Sequence, residues 1–357
     1  MSGARFMNLR LLRHYHDPHR GLLAIKQATQ AAGSVGLLRV PMPIPPVRFG
    51  GRSTLIRKIW RYCWLVAGHL DLPRRVYRRK EPTLLIREFL VLPLFSQAPL
   101  LWTQRRRCWF LLQHNLQSAH RRRAHRLAFR LLSWAGFRFV VYEDLGTWER
   151  CIGHSPRRVR AIPFPVLEKP GRVVPISDTR SIDIPIVGVM GHYRAEKNPE
   201  GALSALIAYS SGTGKLFRIL LGCPDRDVRV RWENQIETID TTDSKSYLSA
   251  LARCTAIVIT YQKEFYEYRT SGVIAEALAM GVRVVVPDYP VLRRQIEWPA
   301  RIGATFARES LIGAAVEEVL MIPPEQWQAA RKLHLERRGV TALSVELKKW
   351  QDDLTKY

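Results

Sequence analysis

The chain has 357 residues, 46% of them hydrophobic, and a formal net charge of +25. That length suits two domains of roughly 150 residues each, and that composition excludes a chain disordered throughout. The charge is lopsided: residues 1–170 hold 31 Lys and Arg against 8 Asp and Glu, and residues 171–357 hold 25 against 23. A basic first half and a near-neutral second half predict two modules with different partners.

In chain order, the first half reads as strands at 7–12, 36–40, 83–86, 108–113, 137–142 and 159–162, with helices near 54–70 and 118–134. The proline-rich stretch 41–46 is a loop. This pattern is compatible with a Rossmann-like domain. The densest cationic clusters are Arg74-Arg75, Arg78-Arg79-Lys80, Arg105-Arg106-Arg107 and Arg121-Arg122-Arg123. Such a half suits nucleic acid, an anionic membrane surface or phosphorylated acceptors. The most apolar stretch, 83–102, is interrupted by Arg87, Glu88 and two prolines, whereas a spanning helix needs about 20 mostly apolar residues. The N-terminus lacks the apolar core of a signal peptide. Five scattered cysteines with no Cys-x-x-Cys pair fit reduced thiols better than disulfides or zinc. The expected location is the cytoplasm, at the inner face of the plasma membrane. Residues 163–177, broken by Pro163, Pro165, Pro170 and Pro175, read as the interdomain linker. The expected division is 1–170, 171–340 and a C-terminal helix at 341–357.

The second half alternates strands and helices. Strand 184–190 leads into Gly191-His-Tyr-Arg-Ala-Glu-Lys-Asn-Pro. Asn198 then caps a helix at 199–209 with Pro199 in its first turn. Strands follow at 217–222, at 228–231 and near Ile236, with Asp225-Arg-Asp227 read as a solvated loop. A helix at 244–253 and a buried strand at 255–261 come next. The most informative segment is Tyr266-Glu-Tyr-Arg-Thr-Ser-Gly-Val-Ile-Ala-Glu-Ala-Leu-Ala-Met-Gly-Val-Arg-Val-Val-Val-Pro287. It predicts a polar loop, a helix opening at Thr270-Ser271-Gly272, a stop at Gly281 and a valine-rich strand. Ser271 is expected to cap that helix through its hydroxyl, and Gly272 lets a ligand approach the backbone. A helix start of this kind binds anions, since its first N–H groups are unpaired and its dipole is positive there. Glu276 lies just over one turn inside. Phosphate-holding amides beside a carboxylate suit a nucleotide-sugar. Strands without polar alternation, separated by helices, predict a parallel sheet whose ligands sit beyond the carboxyl ends of its strands.

Glu276-Ala-Leu-Ala-Met-Gly-Val-Arg-Val-Val resembles the donor-site signature of the retaining GT-B glycosyltransferases (glycosyltransferase group 1, family 4), whose pattern runs acid-Ala-x-Ala-x-Gly-x-Pro/Arg-Val-Val. The loop from Gly191 resembles the same family's Gly-Arg-x-x-x-Glu-Lys-Gly element, with Lys197 on its Lys, His192 on its Arg and Arg194 close by. Leu220-Leu-Gly-Cys-Pro resembles the strand over which the nucleotide base passes. The resemblance covers 184 to about 295 with motifs and the first half only in layout.

The resemblance implies an α/β chain with the GT-B fold, two Rossmann-like doubly wound domains facing a cleft. It implies a donor site of Gly191, His192, Arg194, Lys197, Arg269, Thr270, Ser271, Gly272 and Glu276. Here Lys197 and its cationic neighbours meet the diphosphate and Glu276 meets the ribose. It implies an acceptor-side His114, after the strand that ends at Gln113. The family's first acid, which touches the donor sugar, would fall on Tyr268. Either Glu267 substitutes through a shifted loop, or the sugar is handled differently. No cofactor is implied beyond the substrate, a UDP- or GDP-sugar, and transfer is implied to retain configuration without a metal. The expected acceptor is a glycan or lipid-linked glycan, with an anionic membrane surface as partner and no specific nucleic acid. A nucleotide-sugar epimerase or hydrolase of the same fold stays open, as does a nucleic-acid-binding protein; the first would act on its donor alone, the second would bind with steep salt dependence.

Overall fold

A computed structural model describes residues 20–33, 35–40, 69–153, 158–167, 184–191, 194–214 and 217–355. The strand expected at 7–12, the loop at 41–46, nearly all of the helix at 54–70 and most of the linker lie outside them. In the first half, the elements are α1 (Arg20–Ala32), β1 (Val35–Arg39), α2 (Leu72–Arg78), β2 (Thr83–Arg87), α3 (Val91–Leu101), β3 (Cys108–Leu111), α4 (Asn115–Arg121), α5 (Arg123–Trp134), β4 (Arg138–Tyr142), α6 (Leu145–Ile152) and β5 (Val159–Ile162). The second half holds β6 (Ile186–Met190), α7 (Pro199–Thr213), β7 (Arg218–Gly222), α8 (Arg226–Trp232), β8 (Glu237–Ile239), α9 (Ser244–Arg253), β9 (Ala256–Val258), α10 (Lys263–Tyr266), α11 (Gly272–Met280), β10 (Arg283–Pro287), α12 (Pro290–Glu297), β11 (Gly303–Phe306), α13 (Ile312–Leu320), α14 (Pro324–Arg338) and α15 (Val340–Thr355).

The described strands form two parallel sheets, one ordered β1-β2-β3-β4-β5 and the other β11-β10-β9-β6-β7-β8. Every residue of β2 and of β10 is buried, as continuous apolar strands covered on both faces must be. In the second sheet the order reverses between β6 and β9. The crevice at that reversal, beyond the carboxyl ends of the strands, is where such sheets take ligands.

Local chemistry explains the boundaries that differ from expectation. Residues 228–231 form part of helix α8 rather than a strand. Asp225, expected in a solvated loop, accepts from the N–H groups of Asp227 and Val228 at 3.1 and 3.4 Å and so starts a helix. The helix expected at 118–134 divides, because Arg122 is extended (φ −126°, ψ 115°) between α4 and α5. The apolar run 83–102 is a strand and a helix. Glu88 turns the chain between them at φ 59° and pairs with Arg39 and Arg87. Helix α7 follows expectation at its start: Asn198 accepts from the Gly201 N–H at 3.3 Å, and Pro199 occupies the first turn.

The two halves share one apolar cluster. Ile25 and Ala28 of α1, Trp109 of β3, and Leu343, Leu347 and Trp350 of α15 are all buried in it. Helix α15 packs on α1, and the Trp109 and Trp350 rings lie 4.8 Å apart. Beside this cluster, Glu143 at the end of β4 meets Arg338 at the end of α14 in a two-pronged pair at 2.6 and 3.0 Å. Both side chains are completely or almost completely buried. Arg338 also donates to the Trp298 carbonyl at 2.6 Å, and the Phe164 N–H donates to Glu143 at 2.9 Å. The Val166 N–H donates to the Arg338 carbonyl at 2.9 Å. The start of the connecting segment is thus held by both halves at once.

Candidate functional site

Strand β6 is followed by Gly191, whose φ of 114° only glycine adopts without strain. The chain then passes through a short turn at Ala195–Lys197 into α7. The hydroxyl of Thr260, just beyond β9, donates to the carbonyls of Lys197 and Asn198, both at 2.8 Å, and fixes this turn over the sheet's reversal point. Met190, Gly191, Lys197, Cys223, Thr260 and Tyr261 line a small hollow at the strand ends. The Lys197 Nζ sits 5.9 Å from the Tyr261 ring centroid, and a Cβ on Gly191 would come within 3.3 Å of it. The glycine therefore leaves the ammonium its space. Burial pushes the Lys197 ammonium down to about 8. Arg194 and Arg269 push the same way, against Glu196 and Glu276.

Across the hollow, Tyr261 and Tyr266 stack at 3.8 Å, and the Arg269 guanidinium lies 4.4 Å over Tyr266. Burial holds Arg269 below the usual arginine range, and its Nε has no partner. Arg194 lies 3.8 Å from Glu196. The next element is α11. Ser271 does not cap it: the Ser271 hydroxyl instead pairs with the Tyr261 hydroxyl at 3.1 Å. The buried side chain of Gln295 holds the Ser271 backbone, accepting from its N–H at 3.0 Å and donating to its carbonyl at 2.8 Å. Among the described residues no side chain therefore caps the first amides of α11, from Gly272 onward, and Thr270 precedes them half-buried. Four residues on, Glu276 accepts from the Tyr247 hydroxyl at 2.9 Å.

The structure brings Gly191, Arg194, Lys197, Arg269, Ser271, Gly272 and Glu276 to one edge of the second sheet; His192 lies outside the described residues. Two positions go elsewhere. Tyr268 is buried among the core residues of the first half, with its ring 4.7 Å from His120. Its N–H donates to Gln117 at 2.8 Å. Glu267 lies 3.7 Å from Lys263. It faces Cys151 of α6, whose thiol burial pushes up to about 12 with help from that carboxylate. His114 opens α4. With Gln117, Arg121 and Arg122 it lines a cleft against Glu264, Phe265 and Arg269 of the second half, and Arg269 lies over Tyr266, which stacks on Tyr261 of the hollow. Sequence reasoning missed Glu196, Thr260, Tyr261 and Gln295. Only Glu196, inside the quoted loop, carried a signal. Among the described residues, no three His, Cys, Asp or Glu side chains converge as a metal site, and no helix is long and apolar enough to cross a membrane.

No protein-family model matches the chain, and no curated protein does. Solved structures do. A glycosyltransferase from Rickettsia africae ESF-5 superposes with a TM-score of 0.63 at 11% identity, covering 95% of each chain. Sucrose-phosphate synthase from Thermosynechococcus elongatus gives 0.59 at 13% identity, over 94% of this chain and 93% of that one. An α,α-trehalose-phosphate synthase (UDP-forming) from Burkholderia vietnamiensis gives 0.56 at 13% identity, over 87% and 78%. The two parallel-sheet halves facing a cleft are those of the GT-B glycosyltransferases, and this chain has their fold.

Proposed function

We propose that the protein is a glycosyltransferase moving a sugar from a UDP- or GDP-sugar to a glycan acceptor. One observation carries this: Lys197, Arg194 and Arg269 gather with Glu276 at the reversal point of the second sheet, beside the uncapped start of α11. Desolvated cations with few acids among them favour an anion, and a diphosphate fits amides and cations together. Lys197 and Arg269 hold the diphosphate, the amides from Gly272 onward take a phosphate or the sugar, and Glu276 takes the ribose hydroxyls. As the bond from the anomeric carbon to the diphosphate oxygen breaks, the diphosphate leaves with the electron pair. The cations offset that charge through an oxocarbenium-like transition state without a metal, and the acceptor hydroxyl oxygen bonds to the carbon with retention as its proton passes to the departing diphosphate. The cleft carries Arg121, Arg122 and His114 on its first-half wall. That charge suits an acceptor bearing phosphate, such as a lipid-diphosphate-linked glycan at the inner face of the membrane.

The test is a thermal-shift screen against UDP, GDP, ADP and CMP and their sugars, followed by a transfer assay with the donor that binds. A ligand confined to the folded state raises the midpoint as its concentration exceeds its dissociation constant. One nucleotide diphosphate should stabilise the protein, and Glu276→Ala and Lys197→Ala should abolish both that shift and transfer with the fold intact. Full activity in either variant overturns the site. The anomeric configuration of the product, read by NMR, tests retention, and activity undiminished by a chelator tests metal independence.

A further inference from the structure

Between Glu88 and Glu143 the chain carries nine arginines and no Asp, Glu or Lys. Helices α3 and α5 of this span pack on each other, and each shows an exposed apolar stripe. On α5, Leu127, Leu131 and Trp134 follow the i, i+4, i+7 spacing of a single helix face and are 56%, 41% and 84% exposed. Phe95, Pro99 and Trp102 repeat that spacing along α3 and the turn after it, all exposed, with Leu100 beside them. The stripes converge at one end. Arg105 stacks on the Trp102 ring at 4.0 Å, and its Nε lies 3.1 Å from where a Cβ on Gly136, two residues past Trp134, would sit. Arg106 and Arg123 stand exposed at the ends of the same stripes, and among the described residues neither is in an ion pair.

Single exposed apolar side chains are ordinary on a soluble protein, but registered stripes on neighbouring helices rimmed by arginine are not. We propose that the α3–α5 face docks on an anionic lipid bilayer. Trp102, Leu127, Leu131 and Trp134 enter the boundary between headgroups and acyl chains, and the arginines meet lipid phosphates. The inference rests on the membrane-surface reading above but on none of the cleft chemistry. Leucines offer nothing to phosphates or stacked bases, so a nucleic acid would leave two of the three α5 positions unused. A bilayer uses them directly, and tryptophan prefers the interface. A second copy of this chain would set one arginine field against another.

The experiment is co-sedimentation of the full chain with vesicles of phosphatidylcholine alone or mixed with phosphatidylglycerol, at low and high salt. The wild type should bind only the phosphatidylglycerol vesicles, less so in high salt. The Leu131→Glu/Trp134→Glu double variant, both changes being at exposed positions, should bind at least about tenfold more weakly. Its thermal midpoint and nucleotide-induced shift should match the wild type, which reports an intact fold. Undiminished vesicle binding in that variant overturns the proposal, as does equal binding to phosphatidylcholine alone. Displacement of the vesicles by RNA, or a wild-type dimer that the double substitution dissolves, overturns it equally. If the wild type binds these vesicles but no nucleotide, the transferase reading fails and this surface stands; nucleotide binding without vesicle binding gives the reverse.

Discussion

At the scale of single residues, Lys197 sets the chemistry of the candidate site. Its ammonium is pushed down to about 8 by burial and by Arg194 and Arg269. Below pH 8 it is charged before ligand arrives. Above pH 8 it must first take up a proton, so the affinity for a nucleoside diphosphate should fall by up to about tenfold per pH unit. Calorimetric titrations with the stabilising nucleotide from pH 7 to 9.5 check this, and Lys197→Arg, whose guanidinium stays charged over that range, should flatten the profile. His334 gives a second titration. It is fully buried and pairs through Nε2 with the Ala300 carbonyl at 2.6 Å. Burial and Arg338 push it down to about 4. Because its folded value lies below the unfolded one, the unfolded chain binds the extra proton first and stability falls as pH drops below about 6.5. At pH 5.5 the loss is roughly 1.4 kcal/mol, and His334→Gln should shrink the difference in midpoint between pH 7.5 and 5.5. Lys197 and Glu276 could be put forward from sequence because each sits in a short local pattern. Tyr261, Thr260 and Gln295 were not, since each acts on a residue brought to it only by the fold.

At the scale of elements, α11 shows how the first amides of a helix are left open. Its first amides are free of side chains because Gln295 of α12 takes the Ser271 backbone and Tyr261 takes the Ser271 hydroxyl. Gln295→Leu should leave a buried N–H and carbonyl unpaired, at a cost of about 1–3 kcal/mol. Because α11 then shifts against β10, the KM for the donor should rise as well. Steady-state kinetics alongside a denaturation curve separate the two effects. Ser271→Ala, which removes only the hydroxyl pair with Tyr261, should cost less and leave KM closer to wild type. Element types were largely visible from Ile186 to Pro287, where capped helices alternate with unbroken apolar strands, whereas α12, β11, α13 and α14 carried no expectation. The misread piece, 228–231, alternates Val and Arg as a strand would, but the Asp225 cap starts a helix there.

At the scale of the whole molecule, the halves are joined by the shared apolar cluster and by the buried Glu143–Arg338 pair. Removing one partner of such a pair strands the other charge away from water. Arg338→Ala should therefore cost about 3–5 kcal/mol, while Glu143→Leu/Arg338→Met should cost much less because no lone charge remains. Thermal or urea denaturation of the three chains checks this; equal loss in both variants would refute it. Sequence alone determined that this is an α/β chain with a basic first half and a parallel second sheet, and it put forward Lys197 and Glu276 as site residues. These follow from periodicity, composition and short motifs, all of which are local. Only the tertiary structure decided that Tyr268 turns into the first half and that Glu267 faces Cys151. It likewise decided that Arg269 lines the cleft, and that Glu143 finds Arg338. Those outcomes depend on which distant surfaces fill each other's volume and neutralise each other's buried charge, and sequence spacing does not encode that.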